Sequence, residues 1–199
     1  MSEERFKNYY KNAKHGNEII KILCIKLKLH KKTLTTAQII FNYIFSKLQC
    51  TYQEQVFISL LLSAKIEENH VNFSELLMLT NEYSDPYKPI IKEKTTSLES
   101  LTMKILHFEL DFESCYGFLL KVCNTLKLKD IKQLWQMLDH IHECELVNDI
   151  AYIDGKYDPK LVVLSMFNEK SLRKIEHELF VRFDRFLLDE TYFHFFSRI

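Results

Sequence analysis

The thirteen residues from Val56 to Glu68, Val-Phe-Ile-Ser-Leu-Leu-Leu-Ser-Ala-Lys-Ile-Glu-Glu, constrain this chain more than any other stretch. Of the first ten, only Lys65 is neither apolar nor small, so a helix here has no polar face. A helix that is apolar all round belongs in the middle of a bundle. It is too short for a bilayer, which needs roughly 20 apolar residues. Thr51-Tyr52-Gln53-Glu54 has the reciprocal capping pattern, Thr followed three residues later by Glu, and places the helix start just upstream. The helix ends in charge around Lys65. A lysine at the rim of a buried helix lays its stem on apolar surface and holds its ammonium out. The stretch therefore predicts a hub with a polar contact point at one end.

The rest of the chain must supply helices to surround it. With only three Gly and three Pro in 199 residues, turns are scarce, which favours long helices and short connections. The apolar fraction of 47% is enough to bury a core. Lys plus Arg and Asp plus Glu are 27 each, so the chain lacks the basic excess of a dedicated nucleic-acid binder. Its densest basic run, Lys26, Lys28, Lys31 and Lys32, reads as a solvated face. Met1-Ser2-Glu3-Glu4 is acidic and polar, unlike a signal peptide. The five Cys are odd in number and scattered, which suits a reducing compartment.

Periodicity places the elements. A short helix is expected over residues 2–13, then a break at His15-Gly16-Asn17, with Asn17 capping a helix that ends near His30. Its inward face would carry Ile19, Ile20, Leu23, Ile25, Leu27 and Leu29. Lys31 to Leu34 reads as a loop, with Thr35 or Thr36 capping a helix that buries Ala37, Ile40, Phe41, Ile44, Phe45 and Leu48. After the hub, Asn72 with Glu75 opens a short helix through Leu79. A Pro-bearing loop (Tyr83 to Pro89) leads to a helix over about Ile91 to His107, with Leu98, Leu101, Ile105 and Leu106 inward. A second set follows: a helix capped by Glu113-Ser114 and carrying Phe118, Leu119, Val122 and Cys123, and one opened by Asp130. Leu161 to Phe186 is helical with a break near Asn168 to Ser171, and Asp189 caps an aromatic terminal helix. No strand alternation is sustained. The class is all-α, with a hint of duplication.

Leu61-Leu62-Ser63-Ala64-Lys65-Ile66-Glu67-Glu68 resembles the third helix of the cyclin box. Ser97 to Leu110, with Glu99, an apolar stripe and the ending Leu106-His107-Phe108-Glu109-Leu110, resembles the fifth. Phe112 to Leu119 resembles the start of that family's second repeat, and Leu27-Lys28-Leu29 and Thr36-Ala37 fall where transcription-type cyclins have similar pairs. These pieces cover about residues 19–120 in the family's order and spacing. Within the transcription group cyclin C is nearest, and cyclins T, K, L, H and Q are related; Leu134-Trp135-Gln136-Met137-Leu138 resembles its second-repeat helix two. There are departures. Cys24 and Lys28 stand where transcription cyclins often have Gly, and Asn42-Tyr43-Ile44 replaces a usual His-Arg-Phe. The small-residue third helix of repeat two is missing or shortened, with only Val147 to Ile153 or Pro159 to Phe167 to stand for it.

The resemblance implies a cyclin fold of two tandem five-helix repeats, the second diverged and shortened. The expected divisions are an N-terminal helix over 1–16, a first cyclin box over 17–112, and a second repeat with C-terminal helix over 113–199. It implies a non-enzymatic regulatory subunit that binds a cyclin-dependent protein kinase, in the nucleus, with RNA polymerase II transcription and Mediator or related subunits as its setting. By position, Lys65 and Glu99 match the pair that grips the backbone of the kinase's mobile helix. Lys offers three donors and a carboxylate several acceptor sites, so the two can hold amides and carbonyls whatever the partner's side chains. Leu62, Ile66, Met103, Phe108 and Leu110 match the apolar pocket around that grip, and Glu68 joins the same surface. Lys65 and Glu99 can also pair with each other across two packed helices, and the two roles are compatible.

Competing chemistry is weak. In His140-Ile141-His142-Glu143-Cys144, His140 and Cys144 share a helical face and His142 does not, and two ligands are not a metal site. No nucleophile, base and orienter set is evident, and no Gly-rich phosphate loop, so neither enzyme nor cofactor is implied. The alternatives are a TFIIB-like adaptor on DNA or polymerase, a cell-cycle cyclin, or a helical scaffold without the kinase grip. The absence of Cys-x-x-Cys and of net positive charge counts against the first.

Overall fold

The computed structural model describes residues 3–45, 47–83, 89–112, 115–143, 159–164 and 166–179. The chain divides into two compact units, Met1–Phe112 and Glu113–Ile199. The first contains α1 (Glu3–Lys26), α2 (Lys31–Ile44), α3 (Tyr52–Ile66), α4 (Phe73–Asn81) and α5 (Lys92–Ile105). The described residues of the second form α6 (Cys115–Leu126), α7 (Ile131–Glu143), α8 (Pro159–Leu164) and α9 (Glu169–Leu179). Among the described residues there is no strand, and no helix is long and apolar enough to cross a membrane.

The hub is α3. Every residue from Glu54 to Ala64 is buried, and the helix touches α1, α2, α4 and α5. Its start is the capping box read from the sequence: Glu54 N donates to Thr51 Oγ1 (3.2 Å) and Thr51 N to Glu54 Oε2 (2.9 Å). Asn72 caps α4 as expected, its Oδ1 accepting from Ser74 N and Glu75 N.

Three local expectations fail, each for a physical reason. His15-Gly16-Asn17 is not a break, because α1 runs through it from Glu3 to Lys26. Gly16 is there for close approach rather than for a turn. A Cβ at this position would lie 2.8 Å from Phe41 Cε1 and 2.9 Å from Cε2. Asn17 is not a cap but a buried amide: its Nδ2 donates to Asn42 Oδ1 (2.9 Å) and Ala13 O (3.1 Å). Second, α2 starts at Lys31 rather than at Thr35 or Thr36, with His30 as an N-cap that makes no side-chain bond. The threonines are instead buried within the helix. Third, Ile25 is 68% exposed and Leu101 is 48% exposed, although both fit the apolar period. Ile25 sits in the last turn of α1, and α5 buries only the stripe Thr95, Leu98 and Thr102.

Scarce glycine leaves its mark on helix ends. α1, α3, α5 and α6 each end with the paired backbone bonds of a Schellman motif, for example Leu29 N to Cys24 O (2.9 Å) and Asn69 N to Ala64 O (2.8 Å). That motif needs a left-handed residue, and here it falls to Lys28 (φ 53), Glu68 (φ 54), His107 (φ 54) and Lys127 (φ 55). A β-carbon in that region costs about 1–2 kcal/mol, and glycine's extra freedom when unfolded returns about 0.5–1 kcal/mol of that. Lys28→Gly is therefore expected to stabilise the first unit by a few tenths to about 1 kcal/mol, read as a higher denaturant midpoint at unchanged slope. No gain at Lys28 would mean that its side chain makes up the strain elsewhere.

In the second unit α6 is central, contacting α7, α8 and α9. Phe118, Leu119 and Val122 from α6 meet Leu138, Val163, Leu164, Leu172 and Ile175. Tyr116 packs on Trp135 with ring centroids 4.7 Å apart. Of the two segments considered for a third helix, Pro159–Leu164 is helical and buries Val163 and Leu164, while Val147 to Ile153 lies outside the described residues. The chain break precedes α9, where Asn168 Oδ1 accepts from Ser171 N (3.0 Å). The Glu113-Ser114 cap and the aromatic terminal helix lie outside the described residues.

Candidate functional site

The charged rim of α3 meets α5. Lys65 leaves the last turn of α3, and its ammonium pairs with the carboxylate of Glu99 at 2.5 Å. The side chains are 55% and 28% exposed, so the pair lies at the surface with room for a further partner on both groups. At the other end of α3, Lys94 of α5 reaches Glu54 Oε1 at 2.7 Å. Two ion pairs thus strap α5 along the hub, one at each end.

The two straps differ in kind. Glu54 is almost wholly buried, with its side chain 8% exposed. Burial pushes the Glu54 carboxyl up, but the Lys94 ammonium, the Thr51 amide and the Thr51 hydroxyl together outweigh it and hold it below the ordinary range. The sign of the consequence follows. A depressed folded pKa means stability that is present above the unfolded carboxylate value, near about pH 4.3, and lost as pH falls through the lower folded value. Glu54→Gln is expected to cost about 1–2 kcal/mol at pH 7, through loss of the charged cap and the ion pair. The gap between wild type and variant should narrow below about pH 4 in urea unfolding. A gap that stays constant down to pH 3 would rule the ion pair out as its source. Lys65 and Glu99 sit in water by comparison, where an ion pair adds about 0–1 kcal/mol. The fold does not depend on that pair.

The remaining expected residues are placed unequally. Ile66, Met103 and Leu110 are half-buried against the first unit's core. Leu62 is 3% exposed, inside the core, because α3 is apolar on every side; it supports the surface from beneath. Glu68 is exposed in the left-handed position after α3, its amide bonded to Lys65 O (3.3 Å). Phe108 is 66% exposed. In the Schellman ends of α1 and α6 the corresponding apolar residues, Leu29 and Leu128, fold back onto their cores. Phe108 is itself left-handed (φ 59) while its amide still bonds to Met103 O (2.9 Å), and the ring stands out in solvent. A large aromatic ring held outward just past the end of the helix that carries Glu99 has the makings of an interface anchor.

The sequence reading missed Glu67. Its side chain is 6% exposed, and its carboxylate is held by Lys32 Nζ and Thr36 Oγ1, both at 2.6 Å. The signal was the run Lys32-Thr33-Leu34-Thr35-Thr36, whose three threonines are buried and which therefore needs acceptors nearby.

Among the described residues no other chemistry is assembled. Burial pushes the Cys24 and Cys50 thiols up to about 12, which keeps them protonated and poor nucleophiles. No group of three His, Cys, Asp or Glu is placed to hold a metal among the described residues, and the side chains of His140, His142 and Cys144 lie outside them.

No family model matches the sequence, and no curated protein does. Solved structures do match. A chain of the cryo-EM structure of the yeast TFIIK (Kin28/Ccl1/Tfb3) complex aligns with TM-score 0.60 over 94% of this chain and 85% of its own length, at 16% identity. The fold is cyclin-like.

Proposed function

We propose that this protein is the regulatory subunit of a cyclin-dependent protein kinase and acts in nuclear RNA polymerase II transcription. Residues 17–112 serve as the first cyclin box and 113–199 as a diverged second one. The observation that carries the reading is the exposed Lys65–Glu99 pair on adjoining helices of a cyclin-like unit. The pair contributes little to stability, yet it presents donors and acceptors together at one point. In this reading Ile66, Met103 and Leu110, half-buried against the core, serve as the apolar part of the contact, and the exposed Phe108 as its anchor.

Activation follows from the grip. A protein kinase needs the Glu of its mobile helix paired with its strand Lys to position ATP. A subunit that binds only the inward arrangement of that helix shifts the kinase population toward the active state. The protein contributes no catalytic group, metal or cofactor in this scheme. Mediator or other transcription-complex subunits are its further partners.

The test is reconstitution. The purified chain should form a one-to-one complex with a cyclin-dependent kinase and raise its phosphotransfer to a polymerase tail peptide. Kin28, named in the similar complex, is the first candidate partner to try, followed by the kinases of the source organism. Failure to bind or stimulate any of them would sink the proposal.

A further inference from the structure

The two acidic residues after Lys65 face opposite ways. Glu68 is exposed, while Glu67 turns inward against α2. Position alone disfavours a carboxylate there. The C-terminus of a helix carries the negative end of its dipole, and leaving water is costly for a charge without partners. Glu67 has them: the Lys32 ammonium and the Thr36 hydroxyl both reach its carboxylate from α2. Asn69 adds a second tie, its Nδ2 donating to Thr33 Oγ1 (2.7 Å) and to Glu67 O (3.1 Å). The same turn carries Lys65, whose carbonyl accepts from the Glu68 amide (3.3 Å), while the Glu67 amide bonds to Ser63 O (2.9 Å).

We infer that Glu67 is a positioning residue for the Lys65 grip, fixing the last turn of α3 to α2 so that the Lys65 ammonium is held on Glu99. The inference rests on reading that pair as the kinase contact. Lys65 is a long, half-exposed side chain, and its rotamer freedom would be lost on binding. A turn locked from behind restricts the lysine before the partner arrives. Neither Lys32 nor Thr36 stands on the helices of the proposed interface, so their tie acts only through α3.

The experiment compares Glu67→Gln and Thr36→Val with wild type by three measurements. The first is the Lys65 ammonium resonance in proton–nitrogen NMR of the free protein, assigned by its absence in Lys65→Arg. The second is the affinity for purified Kin28, and the third is the melting temperature. The resonance should shift or broaden in both variants, and affinity should fall about fivefold to tenfold while both remain folded. Thr36→Val keeps the carboxylate and the shape of the threonine, so it covers the case in which Glu67→Gln folds poorly. An unchanged Lys65 resonance in both variants overturns the positioning role, whatever binds. If the resonance moves but wild type binds no kinase, the positioning stands and the functional reading falls.

Discussion

Replacing Lys65 and Glu99 together with alanine is expected to abolish co-purification with the kinase while leaving the protein folded. The magnitudes separate the two effects. An exposed ion pair contributes about 0–1 kcal/mol to stability, so the melting temperature should move by no more than a few degrees. Two residues at the centre of an interface, each worth about 2 kcal/mol or more, weaken a nanomolar complex to about micromolar, which is lost in washing. The charge swap Lys65→Glu with Glu99→Lys decides between a structural and a binding role. It restores attraction across α3 and α5, yet offers acceptors where a partner needs donors. If the pair serves only to join the helices, the swap recovers everything the alanines lose. If it is the grip, the swap binds no better than the double alanine. Full recovery of binding by the swap would falsify the assignment.

The hub was readable because α3 obeys one rule along its whole length. Each residue from Glu54 to Ala64 is buried, and a helix apolar on all sides has no other place to go. Its start was readable too, because Thr51 and Glu54 are close in sequence and their bonds are local. Periodicity was less informative at the edges. Ile25 and Leu101 fit an apolar stripe, but whether a neighbour covers them depends on tertiary contacts that a helical period does not encode. Gly16 misled for a related reason. Glycine marks a break when its backbone freedom is used, and close packing when its missing side chain is used, and sequence alone does not separate the two.

Lys65 and Glu99 lie 34 residues apart, and no local rule pairs them; only the resemblance brought them together. A similar separation hid Glu67 from its partners, 31 residues away at Thr36. A run of two glutamates at a helix end reads as a solvated rim, and only the threonines of α2 hinted that one of them turns inward. The candidate surface is thus built from short-range helix ends that long-range ties hold in place.

Gly16→Ala is expected to destabilise the protein, even though alanine is worth about 1 kcal/mol more than glycine in a helix interior. The new methyl would meet Phe41 at 2.8 and 2.9 Å, well inside contact distance. Phe41 is fully buried and packed at a tilt against Phe45 with centroids 5.1 Å apart, so its ring has nowhere to retreat. The alternative is for α1 to lift from α2, which breaks the buried bond from Asn17 to Asn42. Overpacking of this kind costs about 1–3 kcal/mol, so after the propensity gain the net loss should be up to about 2 kcal/mol for alanine and larger for Gly16→Leu. Trimming the ring separates crowding from helix propensity. In the background of Phe41→Leu, Gly16→Ala should turn neutral or stabilising, because the clash is gone and the propensity gain remains. A stabilising Gly16→Ala in the wild-type background would mean that α1 and α2 do not cross this closely. The continuous first helix would then have another explanation than the close fit of Gly16 on Phe41.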